Sequence, residues 1–353
     1  MQLRSQIGVS RVIFEYAAQK EVESKLEVGV FTIFFVKIIF DSKQRMMSNS
    51  EKNIKRVVEH SDISSLKNHI PERLYKYRYW NNEEKYKFHK NILTERQLFF
   101  SNSAYFDDPD DCRFPVKFDF TFESIKDRMK KTYLSLPGLH VLKDNQLDSL
   151  IKQQYYERFG TESARAIREK EFYDYFNSTL VIYCLSISNS NLNMWNKYGD
   201  NFKGFCVGFD FHKSLASLVE ASIGGTYVNY VDTTSESLIY PNIHSKKGLE
   251  DYAWFFFDLI NKKYNSWSFE KEYRLYKVNF DYLNDPALPK FNNVYTVPKI
   301  CFNEVIFGSK MDEKNIEEII DVCNRNNLSV NFKLAEPVGN SVVLRTCLGI
   351  EKY

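Results

Sequence analysis

The sequence lacks the short motifs that identify several enzyme and metal-binding classes. Its six cysteines form no C-x-x-C pair, and no G-x-S-x-G motif occurs. The acidic stretch FDDPDD, residues 106 to 111, lacks the D-x-D-x-D-G spacing of a calcium loop. These absences argue against a zinc site and against a serine hydrolase with a nucleophile elbow, and we predict no metal.

An excess of charge of either sign is also lacking. Lys and Arg total 48 while Asp and Glu total 46, so the net charge is only +2. A nearly neutral chain has no general electrostatic attraction to nucleic acid or to an acidic membrane surface. The scattered cysteines with mostly apolar neighbours are typical of reduced, buried thiols, and they predict a cytoplasmic protein.

The hydrophobic run near the start of the chain is too short to span a membrane. VGVFTIFFVKIIF, residues 28 to 40, is 13 residues long and is interrupted by Lys37, which favours a buried strand or helix. Met46 and Met47 then open a polar, charged segment. An alternative is therefore that residues 1 to 45 are an upstream extension of the reading frame.

Aromatic residues are abundant, with 29 Phe and 23 Tyr in a chain that is 43% hydrophobic, and they predict a large aromatic core. Strands and helices alternate after Pro71, with an α-helical insert at about residues 121 to 178. We predict a single α+β domain over residues 71 to 353 with a mixed, largely antiparallel sheet, preceded by an N-terminal extension over residues 1 to 70. Strands are predicted at residues 73–80, 96–102, 179–188, 202–210, 226–231, 272–278, 299–308 and 328–334. Besides the insert, helices are predicted at residues 83–95, 212–221, 249–264 and 312–324, and a short helix or turn is predicted at residues 193–200.

FDDPDD places four carboxylates, those of Asp107, Asp108, Asp110 and Asp111, within five residues around a proline. Such carboxylates repel one another unless a cation, an arginine or backbone N–H groups neutralise the charge. Three interpretations remain open. The stretch is a solvated turn, or one carboxylate binds ligand hydroxyls or a basic side chain, or the loop binds calcium or magnesium.

MWNKYGDNFKGFCVGF, residues 194 to 209, combines aromatic rings with glycines. Trp195 and Tyr198 are three residues apart, so both rings share one helical face, and Gly199 and Gly204 permit positive φ and close backbone approach. The stretch is either a structural corner or a wall on which a flat ring such as adenine or nicotinamide stacks.

WSFEKEYRLYKV, residues 267 to 278, alternates charged and aromatic residues. On a strand, Glu270, Glu272 and Arg274 point to one face, while Tyr273 points to the other. This charged face is either a ladder in solvent or, in a cleft, a general-base or cation-stabilising pair held by Arg274.

Seven blocks of the chain resemble, in order, those of a large prokaryotic family described only as a domain of unknown function. The resemblance covers about residues 71 to 340 and implies a fold unit without a reaction. FDDPDD departs from the FNDPFD form of that family, because Asp107 and Asp110 replace Asn and Phe. The blocks are LYKYR (74–78), LFFSNSAYFDDPDD (98–111), CLSIS (184–188), MWNKYGDNFKGFCVGFD (194–210), VNY (228–230), WSFEKEYRL (267–275) and VIFG (305–308).

Three of these blocks are similar to the arginine-type signature of ADP-ribosyltransferases. That signature comprises an early-strand Arg that holds the dinucleotide phosphates, an S-x-S strand, and an E-x-E whose second Glu stabilises the oxocarbenium-like transition state. The matching residues are Arg78, Ser186 with Ser188, and Glu270 with Glu272. The resemblance implies glycosyl transfer from NAD to an unknown macromolecular acceptor, with Glu272 and Glu270 as the catalytic residues.

We therefore predict a nucleotide-handling enzyme, with NAD as the candidate substrate and no other cofactor. One alternative is a non-catalytic module that binds a ligand or peptide. Another is a nuclease or phosphoesterase that uses the FDDPDD carboxylates with Mg²⁺. The residues predicted to bind the nucleotide, combining the signature with the aromatic and acidic positions above, are Arg78, Tyr77, Ser186, Trp195, Tyr198 and Asp108.

Overall fold

The structure is a computed structural model that describes residues 67, 69–80, 87–118, 121–134, 143–232, 238–240, 248–278 and 293–347. The hydrophobic run at residues 28 to 40 and the proposed extension at residues 1 to 45 lie outside these residues. None of the helices in the described ranges is long and apolar enough to cross a membrane.

Strands and helices alternate along most of the described chain. The strands are β1 (Leu74–Arg78), β2 (Gln97–Phe99), β3 (Val116–Lys117), β4 (Leu180–Ser186), β5 (Phe205–Phe209), β6 (Gly224–Tyr227), β7 (Asn229–Val231), β8 (Leu238–Ile239), β9 (Lys262–Tyr264), β10 (Glu272–Val278), β11 (Val294–Thr296), β12 (Phe302–Gly308), β13 (Asn331–Val338) and β14 (Ser341–Thr346). The helices are α1 (Lys87–Thr94), α2 (Phe122–Leu134), α3 (Asp144–Tyr155), α4 (Glu162–Thr179), α5 (Leu192–Lys197), α6 (Leu215–Glu220), α7 (Gly248–Asn261) and α8 (Glu313–Arg325).

The main sheet has eight strands in the order β14-β13-β12-β5-β1-β4-β10-β6. The pair β12 and β13 is parallel, and the other neighbouring pairs are antiparallel. Helices α2, α3 and α4 separate the first strands from β4 and form the predicted insert. The α+β class with a mixed, largely antiparallel sheet is therefore confirmed.

The two faces of the sheet carry separate hydrophobic clusters. The first face carries Leu74, Leu185, Val207 and Leu275 and packs against helix α8. The second face carries two clusters, one centred on α4 and α7 and one around Trp195. Because side chains alternate along a strand, residues next to each other in β1, β4 and β10 belong to different clusters.

Several predicted bounds differ from the structure, and two of these differences change which elements pair. Helix α7 ends at Asn261, and the following KKY forms β9, which pairs with β7. TYVNYV is divided between β6 in the main sheet and β7 outside it, since Val228 interrupts the two pairings. The sequence pattern also missed the last strand, β14.

The packed region begins slightly before the predicted boundary at residue 71. Ile70 packs against the core of the first face, and its carbonyl lies 2.7 Å from His212 Nε2. Tyr273 Oη donates to the carbonyl of His69 at 3.2 Å. Residues 69 and 70 are therefore part of the described fold.

Candidate functional site

Three central strands place polar residues side by side on the second face of the sheet. Ser186, at the end of β4, pairs with Tyr75 of β1 on one side and with Glu272 of β10 on the other. Directly opposed residues of antiparallel strands project to the same face. Ser186 and Glu272 therefore share that face with Arg274, which lies two residues farther along β10.

A short turn fixes Glu270 next to Glu272. Residues Asn265–Glu270 form a 3₁₀ helix, and Lys271 adopts a left-handed backbone with φ 45° before β10 begins. Ser186 Oγ donates to the carbonyl of Glu270 at 2.7 Å, and Ile187 N donates to that of Lys271 at 3.0 Å. The prediction that Glu270 lies on the strand is therefore wrong, yet this turn still brings both carboxylates together.

Lys263 lies at the centre of the carboxylates. Its Nζ donates to Glu270 Oε2 at 2.6 Å and to Glu272 Oε2 at 3.2 Å, and it lies 3.0 Å from Asp111 Oδ2. The side chain reaches this position from β9, directly after helix α7 ends. One buried ammonium thus joins the FDDPDD loop to both glutamates.

Arg274 completes the cluster with a guanidinium that is fully buried. Its Nε donates to Glu272 Oε1 at 2.8 Å, and its Nη2 donates to both oxygens of Asp111 at 2.7 Å. Nη1 donates to the carbonyl of Ile260 at 2.7 Å and contacts Cys112 Sγ at 3.1 Å. We call Asp111, Lys263, Glu270, Glu272 and Arg274 the charged cluster.

The charged cluster contains three carboxylates and two cations, so it carries a net charge of −1 when every member is ionised. Burial raises the pKa of Glu270, and the nearby charge of Glu272 adds to this effect despite Lys263. Burial also acts on Glu272, but Arg274 and Lys263 lower its pKa below the ordinary value. The two carboxyls therefore differ in proton affinity, and Glu270 is the one that more readily holds a proton.

Two tyrosines connect the charged cluster to its partly exposed surroundings. Tyr198 Oη donates to Glu270 Oε1 at 2.6 Å, and Glu272 N donates to Tyr230 Oη at 2.9 Å. Both tyrosines are partly exposed, whereas both glutamates are buried. Burial, followed by the charge of Glu270, raises the pKa of Tyr198, so this hydroxyl keeps its proton and remains a donor to Glu270.

The FDDPDD loop supplies a second buried carboxylate near Lys263. Asp111 N donates to the carbonyl of Asp108 at 3.2 Å, which closes a turn, and Asp108 Oδ1 accepts from Asp110 N at 3.0 Å. Asp108 Oδ2 is buried and has no hydrogen-bond partner among the described residues. Burial raises the pKa of Asp108. The loop is therefore more than a solvated turn, because Asp108 and Asp111 are both buried.

The structure brings together five of the predicted site residues and separates three from them. Tyr77 and Trp195 belong to the neighbouring hydrophobic cluster, in which Trp195 is fully buried, stacks on Phe202 and donates from Nε1 to Asn189 O. The predicted stacking wall is therefore wrong for Trp195, since its ring faces are occupied within the core. The five residues that converge are Ser186, Glu270, Glu272, Tyr198 and Asp108.

Arg78 lies on the other face of the sheet. Tyr75 and Tyr77 pack into the cluster around Trp195, so the alternate residues Lys76 and Arg78 project to the opposite side. Ser186 and Glu272 are on the same side as Tyr75. The predicted convergence of Arg78 with these two residues on one dinucleotide is not formed.

The glycines of the block MWNKYGDNFKGFCVGFD, residues 194 to 210, are required for close packing. A Cβ on Gly204 would meet the Arg78 carbonyl, and one on Gly199 would meet the Trp195 backbone. Positive φ occurs instead at Asp200, Asn201 and Phe202. The predicted need for a small residue is correct here, but its reason is backbone approach rather than positive φ.

Sequence reasoning missed the role of Lys263 and did not assign one to Asp111. Lys263 follows a helix in the stretch NKKYNSW, where nothing distinguishes it from its neighbour Lys262. For Asp111, the only signal is the crowding of carboxylates, which requires a nearby cation. No group of three or more His, Cys, Asp or Glu within the described ranges is arranged to hold a metal ion.

The charged cluster can exchange a proton at Glu270 and can stabilise positive charge near its net negative carboxylates.

Residues 194–275 match the model of a family whose description is Protein of unknown function (DUF2971). This segment includes Tyr198, Lys263, Glu270, Glu272 and Arg274. No curated protein and no solved structure matches the chain. The segment that carries most of the charged cluster is thus similar to an uncharacterised domain family.

Proposed function

We propose that the charged cluster is the site of metal-independent cleavage of a glycosidic bond in a nucleotide, with NAD as the first candidate substrate. The observation that carries this proposal is that these buried, closely spaced groups have an excess of one negative charge when Glu270 is ionised. In this step the bond between the ribose C1′ and nicotinamide breaks, and nicotinamide leaves with the bonding electrons. Water or an acceptor group bonds to C1′ and gives its proton to the Glu270 carboxylate. Positive charge develops on the sugar ring in the transition state, and a fixed negative environment stabilises it.

Glu270 is the proposed catalytic residue. Its pKa is the raised one of the pair, and its carboxylate accepts a hydrogen bond from Tyr198, which is partly exposed. Glu272 is a positioning residue, because Lys263 and Arg274 already occupy both of its oxygens. These roles reverse the assignment implied by the sequence signature.

Asp108 is the proposed acceptor for a ribose hydroxyl. Its Oδ2 lacks a partner among the described residues and is buried near Lys263, and a carboxylate oxygen in this setting gains from a hydroxyl donor. Arg78, which matches the early-strand arginine of the transferase signature, projects to the opposite face of the sheet and does not reach the charged cluster. Transfer of the ADP-ribosyl group of NAD to a macromolecular acceptor is a more specific proposal, which the E-x-E and S-x-S matches alone support.

A non-catalytic binding module is the second candidate, and the same net charge favours it. A cationic side chain of a peptide would neutralise the charged cluster without any reaction. Turnover distinguishes the two candidates, because binding of a cation requires no bond cleavage.

The test is release of nicotinamide from NAD, measured with and without cell extract as a source of acceptor, together with calorimetric NAD binding. Glu270→Gln is expected to lower turnover by roughly 100-fold while NAD binding changes little. The control is Glu313→Gln, at an exposed position in α8, which leaves turnover unchanged. If the wild-type protein neither binds NAD nor releases nicotinamide, this proposal is wrong and the binding module replaces it.

A further inference from the structure

The sheet has an opening beside β4. Tyr75 of β1 pairs with the end of β4, whereas Ser101, which follows β2, forms an isolated bridge with Ile182. Between these two pairings, the carbonyl of Cys184 accepts a hydrogen bond from Lys76 Nζ at 2.6 Å. A lysine ammonium from the first face of the sheet therefore fills this opening.

Two cations lie next to each other on that face. Lys76 Nζ is 4.6 Å from the centroid of the Tyr183 ring, and Arg78 Nη1 donates to the carbonyl of Tyr77 at 3.2 Å. Lys76 and Arg78 are both partly exposed residues. No carboxylate oxygen in the described part of the chain lies within 4.0 Å of either cation. Like charges held together without a counter-ion repel each other and attract an anion.

The pKa of Lys76 lies near neutral pH, whereas the imidazole, phenol and thiol groups packed around it stay neutral there. Burial, followed by the charge of Arg78, lowers the pKa of Lys76 to about 7, although Glu272 and Glu270 act across the sheet in the opposite direction. Burial, with both cations, lowers the pKa of His89 on α1 to about 3, so the imidazole stays neutral. On β4, burial raises the pKa values of Tyr183 and Cys184, and these groups also stay neutral.

We propose that Lys76 and Arg78 form a binding site for a small tetrahedral oxyanion, of the phosphate or sulfate class, on the face of the sheet opposite the charged cluster. The ammonium and the guanidinium provide charge-assisted donors, and such hydrogen bonds are about twice as strong as neutral ones. The anion supplies the counter-charge that the described residues do not. The site uses none of the members of the charged cluster, so it stands or falls independently of the proposed NAD chemistry.

The test is calorimetric titration of the full chain with sulfate at about pH 6, because sulfate keeps its charge of about −2 across the neutral range. Lys76→Met and Arg78→Gln are each expected to weaken binding roughly 10-fold or more. Lys314→Gln, at an exposed lysine on α8, is the control and is expected to bind like the wild type.

The wild type provides a second readout through pH. Binding favours the protonated amine, so sulfate affinity is expected to fall as the pH rises through about 7, and this fall is expected to be absent in Lys76→Met. Circular dichroism checks that each variant is folded, and the wild-type pH series decides the question if Lys76→Met is not. Absence of sulfate binding, equal weakening in Lys314→Gln, or an affinity independent of pH would each overturn the proposal.

Discussion

Arg274 and Asp111 are joined through a single guanidinium nitrogen, since Nη2 donates to both oxygens of Asp111 at 2.7 Å. Both side chains are almost completely buried. The pair connects β10 to the FDDPDD loop, which lies more than 160 positions earlier in the chain. The loop is therefore fixed by a specific ion pair within the fold.

Arg274→Met is expected to lower the free energy of unfolding by about 3–5 kcal/mol, because it leaves Asp111 and Glu272 buried without their main cation. Urea unfolding measures this change. The matched control is Arg345→Met, whose ion pair with Glu336 is largely exposed and is expected to contribute less than about 1 kcal/mol. A loss for Arg274→Met no larger than that of the control would contradict the buried-pair account.

Glu270→Gln and Glu272→Gln are expected to affect stability in opposite directions at neutral pH. The pKa of Glu270 is raised in the folded state, so its ionised form opposes folding, and removing the charge leaves stability equal or higher. Glu272 has a lowered pKa and stabilises the fold as a carboxylate, so its loss is expected to lower the free energy of unfolding by about 2 kcal/mol or more. Urea unfolding of the two variants in parallel provides the comparison.

The different pKa values of Glu270 and Glu272 also predict how the stability of the protein responds to acid. The contribution of Glu272 is present above its ordinary pKa of 4.5 and is lost as the pH falls toward the lowered value in the folded protein. The wild type is therefore expected to lose stability more steeply with acid than Glu272→Gln does. Parallel slopes for the two proteins below about pH 4.5 would show that Glu272 is not held as a carboxylate.

Tyr198→Phe is expected to raise the pKa of Glu270 further. The Tyr198 hydroxyl donates to Glu270 Oε1 at 2.6 Å and favours the ionised carboxylate, so its removal favours the protonated acid. Carboxyl ¹³C chemical shifts followed with pH measure this change. Tyr230→Phe is the control, because the Tyr230 hydroxyl accepts from the backbone of Glu272 and does not donate to Glu270 in the structure. An equal shift in both variants would argue against a specific role for Tyr198.

A chain that begins at residue 46 is expected to fold like the full chain, with a melting temperature within a few degrees. A chain that begins at Leu74 is expected to melt lower, because it lacks the contacts of His69 with Tyr273 and of Ile70 with His212. Thermal unfolding of both truncated chains measures the difference. A large loss of cooperativity in the longer of the two would show that the segment before residue 46 belongs to the core.

Local patterns in the sequence predicted the type of most helices and strands, but they did not predict which of these elements lie next to each other in the fold. Helices α2 and α3 of the insert repeat apolar residues with helical spacing, and β4, β5 and β10 are rich in β-branched and aromatic residues, so their type could be predicted. Strand β14, with the sequence SVVLRT, lacks the clear alternation of a half-buried strand and is largely exposed, so the residue pattern did not predict it.

The candidate site was only partly accessible to sequence reasoning. Glu270 and Glu272 carry a visible pattern, whereas Lys263 becomes important only because β9 and β10 are brought together in the fold. For Arg78, the error came from strand alternation. The order of motifs along the chain matched the signature, but this order does not determine the face of the sheet to which a side chain projects. Moving one position along β1 changes that face.

The most direct test of the central claim is a ¹³C titration of the glutamate carboxyls in the wild-type protein, assigned with Glu270→Gln and Glu272→Gln. The carboxyl of Glu270 is expected to titrate above the ordinary value of 4.5, and the carboxyl of Glu272 is expected to titrate below it. The opposite order, or two carboxyls that both titrate at the ordinary value, would contradict the assignment of Glu270 as the proton-exchanging member of the charged cluster.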